Sequence, residues 1–467
     1  MFKFNNNKDI LTKNEVLARE INDFNSSDKK KWMITGVKYY LGDNDIKNRS
    51  FYTYSGSCKK VDLDRTNNKL SHSFYKNQVD EKVNYILGKP YTIIGEDLKS
   101  VDIVNASLGE FFLDILSELA YEATNKGIAW LQVYINEQGE LNFCVIPSEE
   151  VIPIWKDGNK KELECLLRSY NKIEYVGRER KIINKVELWD EEKVTYYIKR
   201  GDNLILDSEA YLNKSGEFGH FLENGQDKSW GRVPFIPFRN NNLEVPDIKF
   251  IKNLIDQYDI ARSEAANYVE DVNNLIYVLK GYGGENLEEF MRDLKRYRAV
   301  KIDYAEEGDV STISSNANIT ALSEHYMQLK RDIIEVGQGV NKNIDNLSTA
   351  PSGIALKFLF SSLDLKCNAL ENSFKKGFRE ILYFIEQYNS LVLDKVDIVF
   401  NRDIVINEKE AIDECKNSLG IISNKTIIAN HPWVVNLNDE IENIKIEREE
   451  EEKGLKDFVP LEGVENE

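Results

Sequence analysis

The stretch Asn341–Ser352 reads NKNIDNLSTAPS. It is polar, carries one cation at Lys342, and closes on Pro351. Upstream, residues 321–340 (ALSEHYMQLKRDIIEVGQGV) form a helix-like run. Downstream, residues 353–393 (GIALKFLFSSLDLKCNALENSFKKGFREILYFIEQYNSLVL) form a longer one. That run predicts a helix of about 40 residues, about 60 Å if unbroken, with Gly377 as the expected bend. Two long helices are therefore joined by a segment suited to movement, bordered by Gly337 and Gly339 on one side and Pro351 on the other.

Upstream of this pair, Pro246 and Asp247 open another helix, of about 25 residues and about 38 Å. Ile248, Ile251, Ile255, Tyr258 and Ala265 form its apolar stripe. Asp256, Asp259, Glu264, Glu270 and Asp271 lie largely off that stripe. The following IYVLKGYGGENLEEFMRDLKRYRAVKIDY reads as a short strand, a GYGGE turn, a short helix and a strand AVKIDY. The expected unit is a helical hairpin with a small α/β domain at its tip.

The N-terminal half begins with ILTKNEVLAREINDF, which is amphipathic, and WMITGVKYYLGDNDI, whose aromatics are expected to pack. From Asn67 to Pro90, Leu70, Phe74, Val79, Val83 and Ile86 recur near helical spacing, and Gly88 and Pro90 stop the helix. SLGEFFLDILSELAYEATNKG is a further amphipathic helix ending at Lys126-Gly127. The period then changes to two. IAWLQVYI, the turn NEQG and ELNFCVIP read as a hairpin, and ECLLRSYN, KVELWD, KVTYYIKR and NLILD continue as short strands. This β-rich block, residues 128–210, is expected to pack one face on the preceding helices. Near the C-terminus VDIVFNRDIV reads as a strand, followed by two or three small helices and an acidic stretch expected to fray.

The chain has 467 residues, 42% hydrophobic and 30% charged, enough for a substantial core in two to four domains. Its net charge of −18 argues against tight neutralisation of many phosphates, though not against light contact with sliding DNA. No apolar run nears the ~18 residues of a membrane span, and MFKFNNNKDI holds no secretory signal, so a cytoplasmic chain is expected. Five scattered cysteines (Cys58, Cys144, Cys165, Cys367, Cys415) read as reduced, small buried hydrophobes. No phosphate-binding loop, GxSxG or HExxH occurs, and the four histidines lie far apart. Asp43 with Asp45 only faintly suggests a calcium loop, and Asp62 with Asp64 reads as a solvated turn. No catalytic residue, metal or cofactor is expected.

Several fragments together resemble the portal proteins of tailed bacteriophages, the SPP1-type family. They are KYYLGDNDI, NNKLSHSFYKNQVDEKVNYILGKP, VPFIPFRNNN with LIDQYDIARSEAANYVED, APSGIALKF, and IISNKTIIANHPWV with DEIENIKIE. The resemblance implies an α+β multidomain portal fold with an α/β wing, a two-helix stem, a small α/β clip and a helical crown. On this sequence the wing is residues 1–246, the first stem helix 247–273 and the clip 274–318. The second stem helix is 319–340, the tunnel loop 341–352, the long wing helix and strand 353–404, and the crown with its acidic tail 405–467. The resemblance further implies a homo-oligomeric ring, usually a dodecamer, at one capsid vertex of the virion, assembled in the host cytoplasm. Double-stranded DNA would pass through its channel without sequence preference. Terminase large subunit and then a head-completion or adaptor protein would dock on it, and capsid and scaffolding proteins would surround it. No membrane partner is implied.

In that frame the loop residues Asn341, Lys342, Asn343, Ser348 and Thr349 are candidate DNA contacts, with Lys342 repeated around the ring as mobile point charges. Acidic stem helices would repel the duplex and keep it centred, or would be a solvated outer face. Arg292, Lys295, Arg296 and Arg298 would dock a partner or face DNA, or would pair with Glu288, Glu289 and Asp293 at helical spacing. Two other readings stay open: a structural ring or adaptor with no DNA in its channel, and a metal-dependent DNA enzyme.

Overall fold

The computed structural model describes residues 12–55, 58–63, 65–207, 217–223, 225–272, 276–280, 309–313, 319–341, 353–402, 408–434 and 437–457. The mixed helix-and-sheet class expected from the sequence is present, and the chain divides into two compact units. One comprises Thr35–Gln78 and Asp247–Gly337, and the other the described parts of the remaining chain. Thr35–Gln78, which the sequence reading placed within residues 1–246, thus folds with the helical hairpin.

The larger unit is organised by an antiparallel sheet. Its strands run Asn203–Leu206, Val194–Arg200, Glu179–Trp189, Leu163–Val176 and Val151–Trp155 in spatial order, with Glu217–Phe218 added to Val194–Arg200. Helix Lys13–Ser26 covers one face. A capping box starts it: the Glu15 carboxylate accepts the Thr12 N–H at 2.7 Å, and Thr12 Oγ1 accepts the Glu15 N–H at 3.3 Å. Its Leu17, Ala18 and Ile21 pack with Ile152, Leu167, Val186 and Leu188. The opposite face carries Val151, Leu166, Trp189 and Val194 against Trp130, Ile146 and Phe235. Neighbours in sequence such as Val151-Ile152 and Leu166-Leu167 therefore point into two cores. The expectation of a sheet packed on one face is corrected: its centre is buried on both, because these strands carry adjacent apolar residues where one-faced strands alternate.

A second, three-stranded sheet sets Ile128–Ile135 between Leu141–Ile146 and Phe235–Arg239. The expected hairpin is present, its turn closed by Asn136 Oδ1, which accepts the N–H groups of Gln138 and Glu140. Helix Phe112–Lys126 enters this sheet through Gly127 at φ 87°, where a Cβ would stand 2.4 Å from the Glu244 carbonyl oxygen. Glu244 is itself a hub. Its buried carboxylate receives Lys29 at 2.7 Å, Lys160 at 3.1 Å and Arg239 at 3.1 Å. Burial raises the pKa of such a group, but the three cations outweigh it and hold Glu244 down at about 2.

The long helix runs unbroken from Gly353 to Asn389, so the expected bend at Gly377 does not interrupt it. Gly377 is instead a contact point. A Cβ there would lie 2.5 Å from the Phe238 ring, which meets Phe374 edge-on at 4.9 Å. Ser373 on the same helix accepts the N–H of Arg239 at 2.7 Å. Strand Val396–Val399 then pairs with Thr92–Gly95. Helices Glu408–Asn417, Asn424–Ala429 and Leu437–Asp457 follow. The acidic stretch expected to fray is part of the last of these.

Two predictions follow from this packing. Gly377→Ala gains about 1 kcal/mol of helix propensity but drives a methyl group into Phe238, so unfolding by urea should show a net loss of about 1–3 kcal/mol. Glu244 has a folded value of about 2 against 4.5 for the free group, so its stabilisation is complete above pH 4.5 and lost as pH falls towards 2. Glu244→Gln should cost about 3–5 kcal/mol at pH 7. It should also flatten the fall in urea midpoint between pH 5 and pH 3.

Candidate functional site

The residues singled out in the sequence belong to two segments of the chain, one between helices Ile248–Val272 and Ile319–Val336 and one following the second of these. Arg292, Lys295, Arg296 and Arg298, with their proposed partners Glu288, Glu289 and Asp293, lie outside the described residues, as do Lys342, Asn343, Ser348 and Thr349. Asn341 is described and is exposed at the surface. What can be built from the residues upward is how each segment is rooted.

The tip segment has a defined base. Strands Ile276–Lys280 and Asp309–Ile313 pair antiparallel, with Ile276 opposite Ile313 and Lys280 opposite Asp309. Residues 281–308 therefore leave and return at adjacent positions of one ladder. AVKIDY, expected to be a strand, lies outside the described residues, and the partner of IYVLK is DVSTI, for which no strand was expected.

At the other end, helix Ile319–Val336 leaves carbonyls without helical partners, as every helix does. Near that end Ile333 O, which accepts the Gly337 N–H at 3.1 Å, takes a second hydrogen bond from Gln78 Nε2 at 3.0 Å. Its amide lies so close to Gly337 that a Cβ there would stand 2.1 Å from Oε1. In the larger unit the last residues before the quoted loop are also held. Val340 is buried, and its N–H donates to Glu81 Oε2 at 3.0 Å. Past the loop, the Phe360 ring stacks on Tyr85 at 6.0 Å, and Tyr85 OH donates to Asp364 Oδ1 at 3.1 Å. Burial, helped by Asp364, pushes the Tyr85 phenol up to about 12, so it stays a donor. Arg402 ties the same stretch down through Asp364, Asn368 at 2.5 Å and Glu371 at 2.5 Å.

Part of the acidic stripe of helix Ile248–Val272 has a different role from either one expected. Asp259 is fully buried and accepts three hydrogen bonds: Asn44 Nδ2 at 2.6 Å, the His72 N–H at 3.1 Å and His72 Nδ1 at 2.7 Å. A carboxylate oxygen can only accept, so Nδ1 carries the proton. One helical turn on, Ser263 Oγ accepts the Leu70 N–H at 3.0 Å, and a further turn on, Asn267 Oδ1 accepts the Asn68 N–H at 2.7 Å. Glu270 accepts Asn68 Nδ2 at 2.8 Å, and Glu264 pairs with Arg49. Towards the other end Asp256 accepts Tyr39 OH and, at 2.6 Å, Lys252 Nζ. Asp256 and Asp259 are thus an internal seam, and Glu264 and Glu270 flank it with donors in place. Neither expected role fits Asp256 and Asp259, whereas Glu264 and Glu270 stay exposed at the surface. The seam also corrects the helix expected from Asn67: residues 67–73 lie along the seam, and the helix runs Phe74–Leu87.

The remaining candidates do not converge on a reaction centre. Asp43 pairs with Lys47 at 2.8 Å, and Asp45 with Lys38 and Lys252, both at 2.6 Å. Asp62 accepts the Arg65 N–H in a turn, and Asp64 lies outside the described residues. His220 accepts the Trp230 N–H at Nδ1 and reaches Asp190 O at 3.0 Å through Nε2, and burial lowers its pKa, so it is held neutral. Among the described residues no group of three His, Cys, Asp or Glu side chains could hold a metal ion. All five cysteines are free, but only Cys367 is fully buried and Cys58 is exposed, so the reading of all five as core is corrected. Burial pushes the Cys144 and Cys165 thiols up to about 11, which keeps them unreactive. No helix among the described residues is long and apolar enough to cross a membrane.

The smaller unit thus holds a hairpin of helices Ile248–Val272 and Ile319–Val336, and comparison with known proteins says to which class the chain belongs. The family profile described as "Phage portal protein, SPP1 Gp6-like" matches residues 25–454, and the chain belongs to that family, a structural, non-enzymatic class. Among its relatives is the portal protein of Bacillus phage SPP1, 31% identical over 426 residues, covering 89% of this chain and 83% of the relative. The portal protein of Clostridium phage phiCD119 is 30% identical over 437 residues, covering 90% of this chain and 93% of that one. Among solved structures, the neck of a native GTA particle computed with C12 symmetry contains a chain with TM-score 0.41 and 11% identity. That match covers 77% of this chain and 90% of that chain, and so distant a likeness carries no argument.

The seam generates a test. Asp259→Ala leaves the Asn44 and His72 donors without their acceptor in a buried site, at a cost of about 3 kcal/mol or more. Hydrogen exchange should show the amides of Asn68, Leu70 and His72 losing protection together, while those of strand Ile128–Ile135 keep theirs. Uniform loss across both would refute the seam as a local fastening.

Proposed function

We propose that copies of this chain, twelve by the family resemblance, close into a ring at one capsid vertex. Its axial channel admits double-stranded DNA during packaging and releases it during ejection. The observation that carries this reading is membership of the portal family over residues 25–454. In this reading residues 1–246 and 353–404 form the wing, 247–273 and 319–340 the stem, 274–318 the clip, and 405–467 the crown.

The quoted loop is the DNA contact. Lys342 offers a compact, mobile ammonium group to phosphate, and Asn341, Asn343, Ser348 and Thr349 offer neutral hydrogen-bonding groups that read no bases. One such cation per copy suits a duplex that must slide. Each further neutralised phosphate releases counterions and deepens the well in which DNA would stall. The firm roots at Val340 and along the long helix support this reading, because a segment that follows a moving duplex needs fixed ends. The clip is the docking head for terminase large subunit, and afterwards for a head-completion or adaptor protein. Its closed base at Lys280 and Asp309 supports presenting Arg292, Lys295, Arg296 and Arg298 as one patch. Capsid and scaffolding proteins meet the ring from outside, and the protein is a virion component assembled in the host cytoplasm.

Lys342→Ala combined with deletion of residues 343–349 should leave rings intact in negative-stain images yet lower the DNA retained per particle several-fold. Unchanged packaging and retention would rule out the loop as the DNA contact. Absence of rings from purified wild-type protein under all conditions would remove the whole reading.

A further inference from the structure

Strands Leu163–Val176 and Glu179–Trp189 pair along their whole length, but their neighbours do not follow them. Val151–Trp155 pairs only as far as Arg168, and Val194–Arg200 only from Lys185 onward. The rest, Asn171–Val176 with Glu179–Asn184, projects as a two-stranded ribbon about 20 Å long with both edges open. Its turn is Gly177-Arg178, with Gly177 at φ 64°, the position that a two-residue turn of type II′ gives to glycine.

One face of this ribbon carries three exposed apolar side chains, with Arg180 opposite Tyr175 near the tip and Asn171 opposite Asn184 at the base. Ile173 and Ile182 are directly opposite each other, 48% and 62% exposed, and Tyr175, on the same face two residues nearer the tip, is 71% exposed. An isolated hairpin of this kind is marginal in water and gains stability when a third layer covers it. The charge at the tip is also unlike the rest of the chain. Four cations, Lys172, Arg178, Arg180 and Lys181, face two carboxylates, Glu174 and Glu179, in a protein of net charge −18. Glu174 and Glu179 are satisfied by Lys172 at 3.4 Å and Lys181 at 3.6 Å, and no ion pair among the described residues includes Arg178 or Arg180.

We infer that this ribbon is an arm by which one copy of the chain grips the next. An aliphatic cross-strand pair gains nothing against phosphate, so the partner is a protein surface with an apolar patch. The two spare guanidinium groups call for an acidic surround, which a second copy of this chain supplies. An arm on one face received elsewhere on the neighbour is a head-to-tail contact, the kind that closes rings. The inference rests on the ring reading above and adds to it the element that joins the copies.

The test uses the full-length chain with a photo-crosslinking amino acid in place of Tyr175, mixed with isotopically labelled wild-type chain. Illumination should join labelled to unlabelled copies. Ile173→Asp with Ile182→Asp should raise the concentration for half-assembly, measured by light scattering, at least tenfold. Arg178→Glu with Arg180→Glu should raise it most at low salt. Both substituted pairs are exposed, so the thermal midpoint of the unassembled fraction should not move. Cross-links only within one chain, to DNA or to a different phage protein, with assembly unchanged in both variants, would overturn the arm while leaving the ring intact. Wild-type protein that never assembles would overturn the ring reading itself.

Discussion

The smaller unit depends on a match between two repeat lengths. Alternate residues of an extended chain are separated by about 6.6 Å, and four residues of an α-helix rise about 6 Å. The N–H groups of Asn68, Leu70 and His72 therefore fall in step with Asn267, Ser263 and Asp259, running in the opposite direction. A helix can in this way do for a neighbouring segment what a strand does in a sheet, with side chains standing in for main-chain carbonyls. Only short acceptors serve at these positions. A side chain without an oxygen leaves a buried donor unmade, and a longer one holds the segment too far off. Of the acidic residues on this helix, Asp259 joins Ser263 and Asn267 in a hydrogen-bonding template.

This shows why the fold was partly legible. The hairpin at IAWLQVYI, the end of a helix at Gly127 and the helix beginning at Pro246-Asp247 are local signals, written in periodicity and in residues suited to one backbone conformation. Residues 67–73 were misread because Leu70, Phe74 and Val79 have helical spacing, while the partners that extend this segment lie about 190 positions away. The sheet centre was misread as one-faced because short apolar doublets such as Leu166-Leu167 carry a weak period. Gly377 was visible as a glycine, but its reason, the Phe238 ring, came from a strand 139 residues earlier.

The site was less legible still. Gln78, Glu81 and Arg402 hold the segments next to the quoted loop, and none is marked by composition or motif. Gln78 and Glu81 act on single main-chain atoms, the Ile333 carbonyl oxygen near a helix end and the Val340 amide. Any polar side chain of the right length could do this, so the sequence alone cannot distinguish them from surface residues. Lys342 stood out only because its surroundings are neutral. Family membership, not periodicity, supplied the meaning of the loop.

Closing the tip segment at Lys280 and Asp309 has an evolutionary consequence. An insertion whose two ends meet on one ladder transmits neither its length nor its fold to the helices beneath, and enlarging it adds only a slowly growing closure entropy. The hairpin is then a handle and the tip an exchangeable head. Lineages could lengthen, shorten or replace residues 281–308 while leaving the two helices as they were.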